Sequence, residues 1–155
     1  MTSGRRNRAL CALLLMLVVL TGCGQKTPPA LPDVYQALES AASLPPMTML
    51  DADELSDYIG IDDTLYSSVQ AHVAQDALVV DAVMLFTARD EKSAQSIEAQ
   101  LSDYLDYRKR EMRDYLPEQY AVLERAVLRR DGVQVALLIS PQVDALVQAY
   151  EKAIR

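Results

Sequence analysis

The sequence predicts an α+β fold: a single two-layer domain whose four-stranded, antiparallel or mixed sheet carries helices packed on one side. Three patterns lead there. Residues 65–73 alternate, with Val69, Ala71 and Val73 on one face and Ser68, Gln70 and His72 on the other, which is the period of a half-buried strand. Residues 78–86 are apolar nearly throughout, interrupted at Asp81, as in a central strand covered on both faces or nearly so. From Asp90 onward Ala94, Ile97, Leu101, Leu105, Met112 and Leu116 recur at spacings of three, four and seven, the stripe of a long amphipathic helix.

The elements follow in the order α-α-β-β-α-β-β-α. Residues 33–43 form a short helix with Val34, Leu38 and Ala41 on one face, stopped by Leu44-Pro45-Pro46. Asp51 caps a second helix with Glu54 at the reciprocal position of a capping box, Asp53 favours the positive end of its dipole, and Gly60 closes it. The two strands at 65–73 and 78–86 come next, then the long helix, which Pro117 ends or kinks. Val127 and Leu128 lead into Arg129-Arg130-Asp131-Gly132, and residues 133–139 are again apolar. Asp131-Gly132 between two such runs signals a hairpin, because the central residues of its tight turn need positive φ. Ser140-Pro141 starts a last helix with Val143, Leu146, Val147, Tyr150 and Ile154 along one stripe. No internal repeat is visible.

The first two dozen residues carry an address. Residues 1–8 hold Arg5, Arg6 and Arg8 and no acid, and the 12 residues 9–20 are apolar, the layout of a secretory signal. That run is too short for the ~30 Å of a bilayer core. It ends in Leu20-Thr21-Gly22-Cys23, which resembles the lipobox of bacterial lipoproteins, where the Cys thiol takes a diacylglycerol before the signal is cut away ahead of it. The expected organisation is a signal peptide over 1–22, a lipidated Cys23 and Pro-rich tether over 23–32, and an extracytoplasmic domain over 33–155. Cys11 and Cys23 are the two cysteines, so cleavage leaves one, already acylated, and no disulfide can form within the chain.

Composition narrows the function classes. Half of the 155 residues are hydrophobic and 24% are charged, which excludes a disordered or collagen-like polymer. The formal net charge is −7; without the signal, 12 basic residues stand against 22 acidic ones, a net of −10. No nucleic acid is expected as a partner, since phosphates require a basic face. In the folded region Gly60 and Gly132 are the only glycines, so neither a Walker nor a Rossmann phosphate cradle can be built. His72 is the single histidine and no thiol is free, so neither a zinc or redox-metal site nor Cys-His catalysis is expected, and no cofactor is implied. His72 itself reads as a surface-facing strand residue. The acids Asp51, Asp53, Glu54, Asp57, Asp62 and Asp63 fail the EF-hand pattern, because Leu55 and Ser56 stand where an oxygen ligand and the turn glycine belong.

The positive feature is residues 104–120, which gather four of the eight tyrosines and four basic residues in an acidic chain. Tyr104, Tyr107, Arg108, Tyr115 and Tyr120 make a candidate binding patch, since Tyr and Arg supply rigid amphipathic area and forked donors. The plainer reading has the tyrosines rimming the core with their hydroxyls in water. Arg108 falls on the apolar stripe between Leu105 and Met112, so it must snorkel or find a partner.

With these residues in view, the chain resembles a family of small bacterial lipoproteins catalogued as domain of unknown function 4358. The likeness lies in the lipobox around Cys23, the passage from Leu78 through the long helix, the run Tyr115-Leu116-Pro117-Glu118-Gln119-Tyr120, Val127-Leu128, the Gly132 turn and residues 133–139. It spans roughly residues 50–150. The resemblance implies export and lipid attachment at the cell membrane of a Gram-positive bacterium, and no known activity. The expected function is a non-enzymatic, lipid-anchored extracytoplasmic module that binds an envelope protein or glycan. The alternative is a small envelope hydrolase using paired carboxylates; a receptor of an uptake transporter is disfavoured, because such receptors usually need two lobes.

Overall fold

A computed structural model describes residues 28–155. The signal over 1–22, Cys23 and the first part of the tether lie outside the described residues. In chain order the elements are α1 (Leu31–Ala41), β1 (Met47–Met49), α2 (Ala52–Ile59), β2 (Tyr66–Ala74), β3 (Ala82–Ala88), α3 (Glu91–Arg113), α4 (Pro117–Glu124), β4 (Val127–Asp131), β5 (Gln134–Ile139) and α5 (Val143–Ala153). One 3-10 turn, Asp63–Leu65, precedes β2. The fold is α+β, with five strands in the order β1-β2-β3-β5-β4 and every neighbouring pair antiparallel.

Two expectations about the sheet need correction. The fifth strand is β1, three residues that add to the edge of β2 through Met47–Ala74, Thr48–Val73 and Met49–His72 pairings. It is too short to show a period of two. Helices also cover both faces rather than one. On β3, Ala82, Met84, Phe86 and Ala88 pack with Leu55, Ile97, Leu101 and Leu123 from α2, α3 and α4, while Val83 and Leu85 pack with Val34, Leu38, Leu146 and Tyr150 from α1 and α5. The physical reason is the composition of the two inner strands. All six residues of β5 and all but Thr87 of β3 are buried, and a sheet apolar on both faces needs a helical layer on each.

His72 is accordingly not a surface residue. It lies on the face that α1 covers, half-buried, with its ring stacked on Tyr35 at 3.7 Å and its Nε2 2.9 Å from Gln70 Oε1. Burial pushes its pKa down, partly opposed by Glu39.

Local signals hold at most element ends. Asp51 Oδ1 accepts from the Glu54 amide at 2.9 Å and Glu54 Oε2 accepts from the Asp51 amide at 2.9 Å, completing the capping box. Gly60 ends α2 at φ 80°, and the amide of Ile61 reaches back to the Leu55 carbonyl, so the bend also drives Ile61 into the core beside Leu55. Asp51→Ala removes the cap without touching the core and is expected to cost about 1 kcal/mol in denaturant unfolding; an unchanged midpoint would deny the box any role in stability.

Other ends differ. Helix α1 starts at Leu31, two residues before the expected start at 33, because Pro32 fits its first turn and Leu31 is buried. Pro117 neither ends α3 nor kinks it: α3 stops at Arg113, and Pro117 begins a separate helix, α4, whose one buried residue, Leu123, leaves no stripe to read in the sequence. The hairpin exists, but Gly132 and Val133 connect the paired Asp131 and Gln134. Gly132 alone has positive φ, 63°, as a turn with Gly at its first central position requires. Before α5, the Ser140 hydroxyl accepts from the Gln142 amide at 3.1 Å, and the helix starts two residues later than Pro141 suggests.

Candidate functional site

Tyr104, Tyr107, Arg108 and Glu111 stand at spacings of three, four and seven on α3, so one helix face presents all four. They form one wall of a groove of about 390 Å³. The opposite side comes from Tyr58 and Ile59 on α2, Leu50 before it, and Val73 and Ala74 at the end of β2, with the 75–81 connection closing one end. The groove exists because the amphipathic α2 and α3 bury Leu55, Ile97 and Leu101 against the sheet, while the longer Tyr58 and Tyr107 side chains stand out from it, 75% and 52% exposed.

Its polar chemistry is an ordered chain. Glu111 Oε1 accepts from the Tyr107 hydroxyl at 2.7 Å, and Glu111 Oε2 accepts from Arg108 Nη1 at 3.1 Å. This answers the question the sequence left over Arg108: its stem lies at the groove wall and its guanidinium is paired. The hydrogen bond to Glu111 holds the proton on Tyr107 and raises its pKa. Burial pushes Tyr104 up, with Arg108 pulling it down and Glu111 adding to the rise.

Of the five residues of the predicted patch, the structure brings together Tyr104, Tyr107 and Arg108. Tyr115 and Tyr120 do not join them. The helix that would have carried Tyr115 along the same stripe stops at Arg113, and Tyr115 sits 70% exposed in the turn before α4. Tyr120, half-buried on α4, has the Arg113 guanidinium 5.7 Å from its ring centre. Tyr58 is the site residue the sequence reading missed. An aromatic two residues before the helix-ending Gly60 was its only signal, and nothing local says that α2 packs beside α3.

Asp81 borders the groove, and also a second hollow of about 320 Å³ beside Ser140 and Gln142. By alternation with Val83 and Leu85 its side chain belongs to the α1 and α5 face of the sheet, where it bonds with the Ser140 hydroxyl. Burial raises its pKa, and this bond partly offsets the rise. Among the described residues no group of three or more His, Cys, Asp and Glu side chains could hold a metal ion.

A family model described as a domain of unknown function (DUF4358) matches residues 40–140. That stretch contains every residue of the groove, from Leu50 to Glu111. No curated protein and no solved structure matches the chain.

Proposed function

The chain belongs to the DUF4358 family, a domain of unknown function, and from that premise we propose that it is a lipid-anchored extracytoplasmic module that binds an envelope ligand in the groove of Tyr58, Tyr104, Tyr107 and Arg108. The observation that carries this reading is the convergence of three tyrosines from two helices on one concavity with a preformed Tyr107–Glu111–Arg108 chain. Its volume falls in the ~300–1,000 Å³ range of small-ligand sites, and a mostly apolar wall with a few fixed polar groups is the usual composition of such sites. Attachment rests on the sequence: the lipobox at Cys23 and the Pro-rich composition of residues 23–32, which suits a tether.

The hydrolase alternative has weaker support. Glycoside hydrolysis wants two carboxyl groups about 5–10 Å apart across one bond. Of the two acids bordering the groove, Asp81 bonds with Ser140 and Glu111 already holds Tyr107 and Arg108. A photoreactive residue at Tyr107, at the groove mouth, is expected to capture an envelope protein or glycan in intact cells. The same residue at Asp144, an exposed position on α5, is expected to capture nothing. Equal capture from both positions, or none from Tyr107, would overturn the binding reading.

A further inference from the structure

We infer that the groove takes a neutral saccharide, with Tyr58 and Tyr107 lying against a sugar ring and Arg108 and Glu111 bonding to adjacent hydroxyls. The inference rests on the binding reading above and specifies its ligand. The first step is charge. Of the three charged residues that border the groove, Arg108 and Glu111 pair at 3.1 Å, and Asp81 bonds with Ser140 on the other face of the sheet, so the groove presents no unpaired charge within a domain that is strongly acidic. An anionic ligand would meet Glu111 and the surrounding negative field, and a cationic one would meet Arg108. Neither charge is favoured.

The second step is hydrogen bonding. Glu111 spends one lone pair of each oxygen on Tyr107 and Arg108, and each oxygen can accept again; Arg108 spends one of its five N–H donors. The groove therefore offers acceptors and donors side by side, held in place by their mutual bonds. Tyr104 adds a third polar group to the same wall, within the field of Arg108 and Glu111. A purely apolar occupant would strip water from all of these without replacing its bonds, leaving each group unsatisfied at a cost to binding. A ligand bearing neighbouring hydroxyls, each both donor and acceptor, satisfies them.

The third step is shape. Tyr58 and Tyr107 hold large exposed aromatic faces at the mouth, and a pyranose ring has a C–H face that packs on an aromatic while its hydroxyls point outward at the edge. Apolar face and polar edge on the ligand thus match apolar rings and polar chain on the protein.

The test titrates the full chain in detergent micelles, observed by NMR, with two neutral oligosaccharides (maltotetraose and chitotetraose), an anionic one (trigalacturonate) and choline as a cation. At least one neutral oligosaccharide is expected to shift the Tyr58 and Tyr107 ring signals. Tyr58→Ala, at a side chain too exposed to support the core, is expected to weaken that binding roughly fivefold to tenfold, and Glu111→Gln by a similar factor. Shifts from trigalacturonate or choline alone, no shift from either neutral sugar, or a neutral sugar whose affinity ignores Tyr58→Ala would each overturn the saccharide inference. Photo-capture from Tyr107 is the separate readout for the binding reading, which stands or falls on it whatever the sugars do.

Discussion

Replacing Phe86 by alanine is expected to cost about 3–5 kcal/mol, the range for deleting a fully buried aromatic. Phe86 is 0% exposed in the middle of β3, flanked across the sheet by Val69 and Val135, and it meets the Tyr66 ring edge-on with centres 5.7 Å apart. Strands on both sides and helices above leave nothing free to collapse into the space, so the cavity term adds to the lost transfer energy. A domain's whole stability is roughly 5–15 kcal/mol, so this one change removes a large share and the variant should melt far below the parent. Leu78→Ala is the matched control: Leu78 is also apolar and close in sequence, but 52% exposed, and its loss is expected to stay within about 0.5 kcal/mol. Denaturant unfolding of the two variants measures the difference. A Phe86→Ala cost under 1 kcal/mol would mean that the core is not organised around β3.

The same strand shows why some of the fold could be read in the sequence and some could not. Periodicity found β2 and α3, and near-continuous apolar runs found β5 and β3, the latter over 82–88 rather than the expected 78–86. Asp51 and Gly60 announced the ends of α2 because capping chemistry is local. β1 and α4 left no such mark: β1 has three residues, and α4 buries one, so both are defined by neighbours rather than by their own pattern. The second helical layer was implicit in the continuous apolar character of β3 and β5, but the polar Ser68, Gln70 and His72 of β2 argued for an open face. Stacking of His72 on Tyr35 under α1 reconciles the two, since a histidine can present an apolar ring face to a helix and keep its nitrogen bonded to Gln70. The groove was legible to the same degree. Tyr104, Tyr107 and Arg108 share one helix face and were found together, whereas Tyr58 arrives from a different helix through packing that no local pattern encodes.

Replacing Cys23 by alanine is expected to abolish fatty-acid incorporation entirely rather than reduce it, because in the proposed attachment that sulfur is the atom that receives the lipid, and the other cysteine, Cys11, lies 12 residues before it. The consequence for attachment follows from what else could hold the chain. Two acyl chains, at ~0.8 kcal/mol per buried CH₂, anchor stably where one gives only marginal binding. Electrostatics offers no substitute: with a net of −10 beyond the signal, the protein is repelled by anionic headgroups, which attract basic segments. Among the described residues no helix is long and apolar enough to cross a membrane. If the proposed signal stays uncut in the variant, its 12 apolar residues fall well short of the roughly 20 that span a bilayer, so alkaline carbonate should extract the variant while the parent stays in the pellet. Metabolic labelling with a radioactive fatty acid and carbonate extraction read the two effects separately. Label retained by Cys23→Ala would place the lipid elsewhere and remove the reason for assigning this domain to the outer face of the membrane, where the groove would meet its envelope ligand.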